Sequence, residues 1–109
     1  MKEVSVVEEG GTLVARLNCE IDHHSVKGLR EVIDKRLCES RARTLVMDFS
    51  DVGFMDSSGI GLILGRAEVA DRLGRYVRIR ALSPSMLRIV RMSGVEKIKN
   101  VKVEAEESK

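Results

Sequence analysis

Two short alternating runs open the chain and give way to apolar stripes spaced by three and four residues. Residues 2–8 and 12–18 are β-prone and are separated by Glu9-Gly10-Gly11. A Gly-Gly pair supplies the positive φ angles of a two-residue hairpin turn, so these runs are predicted to pair antiparallel. Leu13, Ala15 and Leu17 then share one face of the second strand. Val26, Leu29, Ile33 and Leu37 fall on one stripe of a helix over residues 25–39, with Asp22 or Ser25 as its cap. Residues 44–49 read as a compact apolar strand bounded by Arg43 and Ser50-Asp51. The loop 50–56 leads into a second helix, whose stripe is Ile60, Ile63, Leu64, Ala67 and Ala70 and whose stop is Gly74. Residues 76–82 form the next strand, with Val77, Ile79 and Ala81 opposing Arg78 and Arg80. Ser83-Pro84 starts a third helix, since the hydroxyl caps and proline fits the first helical position. Its stripe is Met86, Leu87 and Val90, Gly94 ends it, and residues 98–103 make a weak last strand at an edge.

The order ββαβαβα with a final β describes an α/β fold in which helices pack on a mixed sheet. Residues 1–104 form one domain and residues 105–109 a frayed tail. Strand–helix–strand crossovers make their strands parallel and are right-handed. Three strands therefore end on the same side, at residues 19–22, 49–57 and 82–83. Sites in open α/β sheets gather outside those carboxyl ends. Asp22, His23, His24, Asp56, Ser57, Ser58 and Ser83 are thus expected to be neighbours.

Composition narrows the function classes. The 109 residues carry 19 Lys and Arg against 17 Asp and Glu, a net charge of +2, with no basic block. One Tyr, two Phe and no Trp leave nothing for a base-stacking platform, so no nucleic-acid partner is expected. An apolar content of 43% excludes disorder. The longest weakly polar run, residues 59–65, is far below the roughly 20 residues a membrane span needs. The opening Met1-Lys2-Glu3-Val4 has no apolar signal core. Cys19 and Cys38 read as reduced thiols, and the expectation is a cytoplasmic chain that is monomeric when free.

The most informative stretch is Phe54-Met55-Asp56-Ser57-Ser58-Gly59-Ile60-Gly61. It sets a serine pair where a loop becomes a helix, followed by Gly59, Gly61 and Gly65. Each helical glycine costs about 1 kcal/mol relative to alanine, so three imply close approach by a neighbouring element or a docking partner. One reading is an N-cap serine with tight helix–sheet packing. The other is a regulated hydroxyl. A helix N-terminus tolerates a phosphoserine, whose charge of about −2 alters a docking surface without unfolding it. Asp56, with Glu20 or Asp22, adds to that negative field.

Enzyme and metal readings fit less well. No lysine lies near Gly59–Gly65 to complete a Walker phosphate loop. A hydrolase elbow needs glycine two residues either side of its serine, and Met55 precedes Ser57. A triad of Ser57 with His23 or His24 and Asp22 would ask adjacent residues to orient each other. Cys19 with His23-His24 lacks further ligands, because Cys38 sits at the far end of a helix. Arg78, Arg80, Arg88 and Arg91 read as solvated charges, and Met86 and Met92 as core fillers.

Glu20-Ile21-Asp22-His23-His24, the serine-pair stretch, Leu64-Gly65-Arg66, Leu82-Ser83-Pro84 and Met92-Ser93-Gly94 together resemble the anti-sigma factor antagonists of the STAS domain family, the sporulation type above all. The similarity spans about residues 4–100. It implies a single STAS-like domain and no enzymatic activity or cofactor of its own. It implies that Ser57 is phosphorylated by a partner anti-sigma factor, itself a serine kinase carrying ATP or ADP. The unphosphorylated form then binds that partner and frees the sigma factor, and a manganese-dependent serine phosphatase resets the switch. Asp22, His23, His24, Asp56, Ser58, Gly59, Ile60 and Gly61 become the expected partner-binding residues, Asp22 accepting a basic side chain. Family members usually carry a further C-terminal helix, for which the charged residues 103–109 are too few. A non-phosphorylated STAS scaffold in a stress-sensing or transporter assembly is the alternative, and a nucleotide-binding or serine-nucleophile enzyme a third.

Overall fold

A computed structural model describes residues 2–104. The strands are β1 (Val4–Glu9), β2 (Thr12–Leu17), β3 (Thr44–Asp48), β4 (Tyr76–Arg80) and β5 (Val101–Val103). The helices are α1 (Val26–Glu39), α2 (Ser58–Arg72) and α3 (Pro84–Ser93), with a 3-10 turn over Val95–Lys97. The expected frayed tail, residues 105–109, lies outside the described residues.

Gly10 and Gly11 both take positive φ, 55° and 82°, and close the β1–β2 hairpin in the expected antiparallel register, Val6 opposite Ala15. The sheet order is β1-β2-β3-β4-β5, and every pair after the hairpin is parallel. Each right-handed crossover therefore steps one strand further in the same direction and sets its helix on the same face. Burial agrees with that geometry. Leu13, Ala15, Leu17, Leu45, Met47, Val77 and Ile79 point into one core with Leu29, Ile33 and Leu37 of α1 and Ile63, Ala67 and Ala70 of α2.

The other sheet face carries a polar ladder. Asp48 and Arg80 are cross-strand neighbours, and Arg80 Nε donates to Asp48 Oδ2 at 2.8 Å. Arg78 Nε donates to Glu104 at 2.6 Å. These arginines are thus ion-paired rather than simply solvated. Asp48 is 4% exposed, and Ser50 donates to it from both its amide and its hydroxyl. Burial pushes the Asp48 carboxyl up, but the two Ser50 bonds and Arg80 outweigh it and hold it below the ordinary aspartate value.

Several expectations change. β4 stops at Arg80, because Ala81 takes φ 63° and turns the chain into the Ser83 cap, so Ala81 is exposed rather than inward. β5 shrinks to Val101–Val103, since residues 98–100 turn after the 3-10 segment, with Val101 N donating to Ile98 O at 3.0 Å. The buried Asn100 then pins that segment, its Nδ2 donating to Ala67 O at 3.0 Å and Arg75 O at 3.2 Å. On α2 the core face holds Leu62 and Arg66, and Leu64 is exposed. Met86 fills the core as expected, but Met92 is 81% exposed on the outer side of α3.

Candidate functional site

The loops after β2 and β3 are joined directly. Ile21 N donates to Phe54 O at 2.9 Å, and Asp56 N donates to Ile21 O at 3.1 Å, forming a one-residue parallel bridge between Ile21 and Met55. Both of those side chains are buried, so the bridge is anchored from beneath. The sequence expectation that the Asp-His-His loop adjoins the serine pair follows from this splice.

Within the first loop, Asp22 Oδ1 accepts from His24 N at 2.9 Å and from Ser25 N at 3.0 Å. The bond from the Ser25 amide is the main cause that holds the Asp22 carboxyl below its ordinary value, against a desolvation that opposes it and with His24 and His23 assisting. The Ser25 hydroxyl donates to Glu20 O at 2.9 Å and accepts from Asp22 N at 3.1 Å. Of the two caps proposed for α1, Asp22 thus supplies the side-chain acceptor, and Ser25 braces the loop. His23 and His24 are exposed, their ring centroids 3.9 Å apart. Burial pushes the neighbouring Cys19 thiol up, which keeps it protonated.

In the second loop, Asp56 Oδ1 accepts from Ser58 N at 2.8 Å, and Gly59 N donates to Asp56 O at 3.0 Å. Ser57 is exposed, has helical angles (φ −63°, ψ −16°), and makes no capping bond through its hydroxyl. The reading of a serine N-cap at α2 is therefore corrected: Asp56 caps. Ser58 and Ile60 are half-buried, and Gly61 is exposed.

The three glycines divide by cause. A Cβ on Gly59 would land on Met55 Cγ and Sδ, so this glycine exists for internal packing. Gly61 and Gly65 face open space, with nothing within 4 Å of an added Cβ. They leave bare backbone along a groove of about 460 Å³ between α1 and α2, walled by Val26 and Arg30 on one side and by Ser58, Gly61 and Val69 on the other. Leu64 and Phe54, 43% and 50% exposed, add apolar surface to the same helix and its entrance loop.

Sequence reasoning missed what supports this groove. Arg66, 3% exposed, makes a two-point pair with Asp34 of α1, Nε to Oδ1 at 2.6 Å and Nη2 to Oδ2 at 3.1 Å, and its Nη1 donates to Leu62 O. Burial and nearby Arg30 lower its pKa while Asp34 opposes them, the desolvation being largest. The available signal was a charged residue at a core position of the α2 periodicity, between Ile63 and Ala67.

Ser83 adjoins the start of the loop after β3. It lies in a depression with Phe49, Ser50 and Val52, and its hydroxyl accepts from Met86 N at 3.3 Å to cap α3. Among the described residues no hydrogen bond links it to the Ser57 loop, and no group of three His, Cys, Asp or Glu is placed to hold a metal ion. No described helix is long and apolar enough to cross a membrane.

A chain with this order of elements, this serine pair and this spliced loop has clear relatives. An anti-sigma F factor antagonist of Paenibacillus polymyxa is 31% identical over 96 residues, covering 88% of this chain and 82% of the relative. One from Lysinibacillus sphaericus is 33% identical over 84 residues, 77% and 72% of the two chains. The anti-sigma factor antagonist SpoIIAA in its unphosphorylated form superposes with a TM-score of 0.71 at 26% identity, covering 95% of this chain and 89% of that one. The Bacillus cell fate determinant SpoIIAA in its phosphorylated form gives 0.70 at 29% identity, covering 94% and 92%. The family model described as the STAS domain matches residues 3–108, and this chain belongs to the STAS domain family.

Proposed function

We propose that this chain is an anti-sigma factor antagonist switched by phosphorylation of Ser57. The observation that carries the reading is the state of that side chain: exposed, at the first turn of α2, its hydroxyl free of any capping bond. Relatives named anti-sigma F factor antagonists, and a similar fold known in both unphosphorylated and phosphorylated forms, support it.

In the reaction, Ser57 Oγ attacks the γ-phosphorus of ATP held by the partner anti-sigma kinase. The bond from that phosphorus to the β,γ-bridging oxygen breaks, ADP leaves, and the hydroxyl proton passes to a base on the kinase. Ser57 is substrate, not catalyst. The fold accepts the product because the positive end of the α2 dipole faces the new charge.

The unphosphorylated face docks the partner and displaces the sigma factor. Its surface is the exposed pair His23-His24, Asp22, whose Oδ2 remains for a basic partner side chain, Asp56, and the outward side of α2 with Ser57, Ser58, Ile60 and Gly61. Gly59 acts from behind, through Met55. Phosphate adds about two negative charges beside Asp22 and Asp56 and opposite the nucleotide phosphates of the kinase. A loss of about 3 kcal/mol weakens binding more than a hundredfold. A manganese-dependent serine phosphatase removes the group and resets the cycle. This cycle runs in the cytoplasm, with the free chain a monomer.

The test is incubation with the cognate anti-sigma kinase and ATP, followed by peptide mass spectrometry. Phosphate on Ser57, absent in Ser57→Ala, is the expected result. Modification elsewhere, or none, overturns the assignment. Hydrolysis of ATP by the isolated chain, lost in Ser57→Ala, would point to an enzyme instead.

A further inference from the structure

The structure assigns Asp56 the task of keeping the Ser57 hydroxyl free for phosphoryl transfer, a positioning role that rests on the proposed modification of Ser57. A serine at a helix start normally spends its hydroxyl on the first-turn amides. Ser83 does so here: it is extended (φ −65°, ψ 162°), and its Oγ accepts from Met86 N. Ser57 occupies the corresponding place on α2 but has helical angles and no such bond. The difference lies one residue upstream. Asp56 Oδ1 takes the Ser58 amide, and Asp56 O takes the Gly59 amide, so the helix is already capped when the chain reaches Ser57.

Asp56 can do this because its own amide is fixed to Ile21 O by the splice between the two loops. Its carboxylate therefore points along the helix from a held backbone. Without that acceptor, the competing geometry is the one Ser83 adopts: Ser57 swings to extended angles and its hydroxyl turns back over the amides of Gly59 and Ile60. The nucleophile would then have to leave a cap before it could react. One capping bond is worth about a tenfold change in rate when it must be broken first.

Three full-length variants separate this from a plain effect of charge. Asp56→Asn keeps a side-chain oxygen at the capping distance and loses the charge. Asp56→Glu keeps the charge and moves the acceptor, and Asp56→Ala removes both. Two readouts are taken on each: the Hα–Hβ couplings of Ser57 in the isolated chain by NMR, and steady-state phosphorylation by the anti-sigma kinase with ATP. The expected result is an averaged Ser57 rotamer in the natural chain and in Asp56→Asn, against a single locked rotamer in Asp56→Ala and Asp56→Glu. Alongside it, kcat falls about tenfold in the Ala and Glu variants, and Asp56→Asn restores most of that loss in kcat.

Full activity of Asp56→Glu with a slow Asp56→Asn would make charge the cause and overturn the proposal. So would an averaged Ser57 rotamer in both Asp56→Ala and Asp56→Glu. If Asp56→Ala does not fold, the comparison of Asn with Glu decides alone. If the kinase leaves the natural chain unmodified, the proposed function fails, and the couplings still decide whether Asp56 frees the Ser57 hydroxyl.

Discussion

Three glycines in two turns of one helix should respond to the same substitution with opposite signs. Gly61 and Gly65 lie within α2, outside the positive-φ region, with open space where a Cβ would stand. Replacing either by alanine removes backbone freedom from the unfolded chain and meets nothing in the folded one. Each change should stabilise by about 1 kcal/mol, Gly61 by somewhat less because it is nearer the helix end. Gly59→Ala gains still less of the helix term, being nearer the helix end than Gly61, and its methyl lands on Met55 Cγ and Sδ. Met55 is 4% exposed and is held by the bridge to Ile21, so its side chain has little room to retreat. Overpacking costs about 1–3 kcal/mol, which against a helix term of about 0.5 kcal/mol leaves a net destabilisation of about 0.5–2.5 kcal/mol. Urea denaturation followed by circular dichroism measures all three, with midpoints moving up for Gly61→Ala and Gly65→Ala and down for Gly59→Ala at an unchanged slope. A Gly59→Ala as stable as the other two would refute the packing argument. A destabilised Gly61→Ala would refute the claim that the outer face of α2 is open. On the proposed function, Gly61→Ala also separates stability from docking, firming the fold while weakening affinity for the anti-sigma factor.

Other expected outcomes follow from the charged contacts. Arg66→Ala removes a nearly buried guanidinium from its two-point pair; Asp34 keeps 29% side-chain exposure, which softens the loss to about 2–3 kcal/mol in urea unfolding. Arg66→Met should recover part of it by filling the space. The folded-state pKa of Asp48 is depressed, so its stabilisation is full above the ordinary value of 3.8 and disappears as pH falls through the lower folded value. Acid titration of unfolding stability should therefore show a loss below that value, and Asp48→Asn should flatten it. Ser57→Asp places a charge at the favourable end of α2 but beside Asp22 and Asp56, so thermal unfolding should stay within about 1 kcal/mol of the natural chain while affinity for the partner drops.

Most of the fold was legible because local signals and the tertiary arrangement agree. The Gly-Gly hairpin, the Leu29, Ile33 and Leu37 stripe and the Ser83-Pro84 start each reappear as read. The misreadings fall where a tertiary partner decides. On α2 the apolar Leu64 is outside and the charged Arg66 inside, because Asp34 of another helix supplies the countercharge that periodicity alone does not reveal. Ala81 in the left-handed region and the pinned Asn100 shorten β4 and β5 for similar reasons. At the site, adjacency of Asp22 to the serine pair followed from parallel strands, but which residue caps α2 did not. Aspartate and serine are about equally good caps, and only the splice through Ile21 gives Asp56 the place.

The decisive measurement is the affinity of one preparation for the anti-sigma factor before and after stoichiometric phosphorylation of Ser57. Calorimetry in the presence of ADP, at fixed salt, would measure both forms. The unphosphorylated chain should bind and release the sigma factor, and the phosphorylated chain should bind more than about a hundredfold more weakly. Equal affinity of the two forms would contradict the switch.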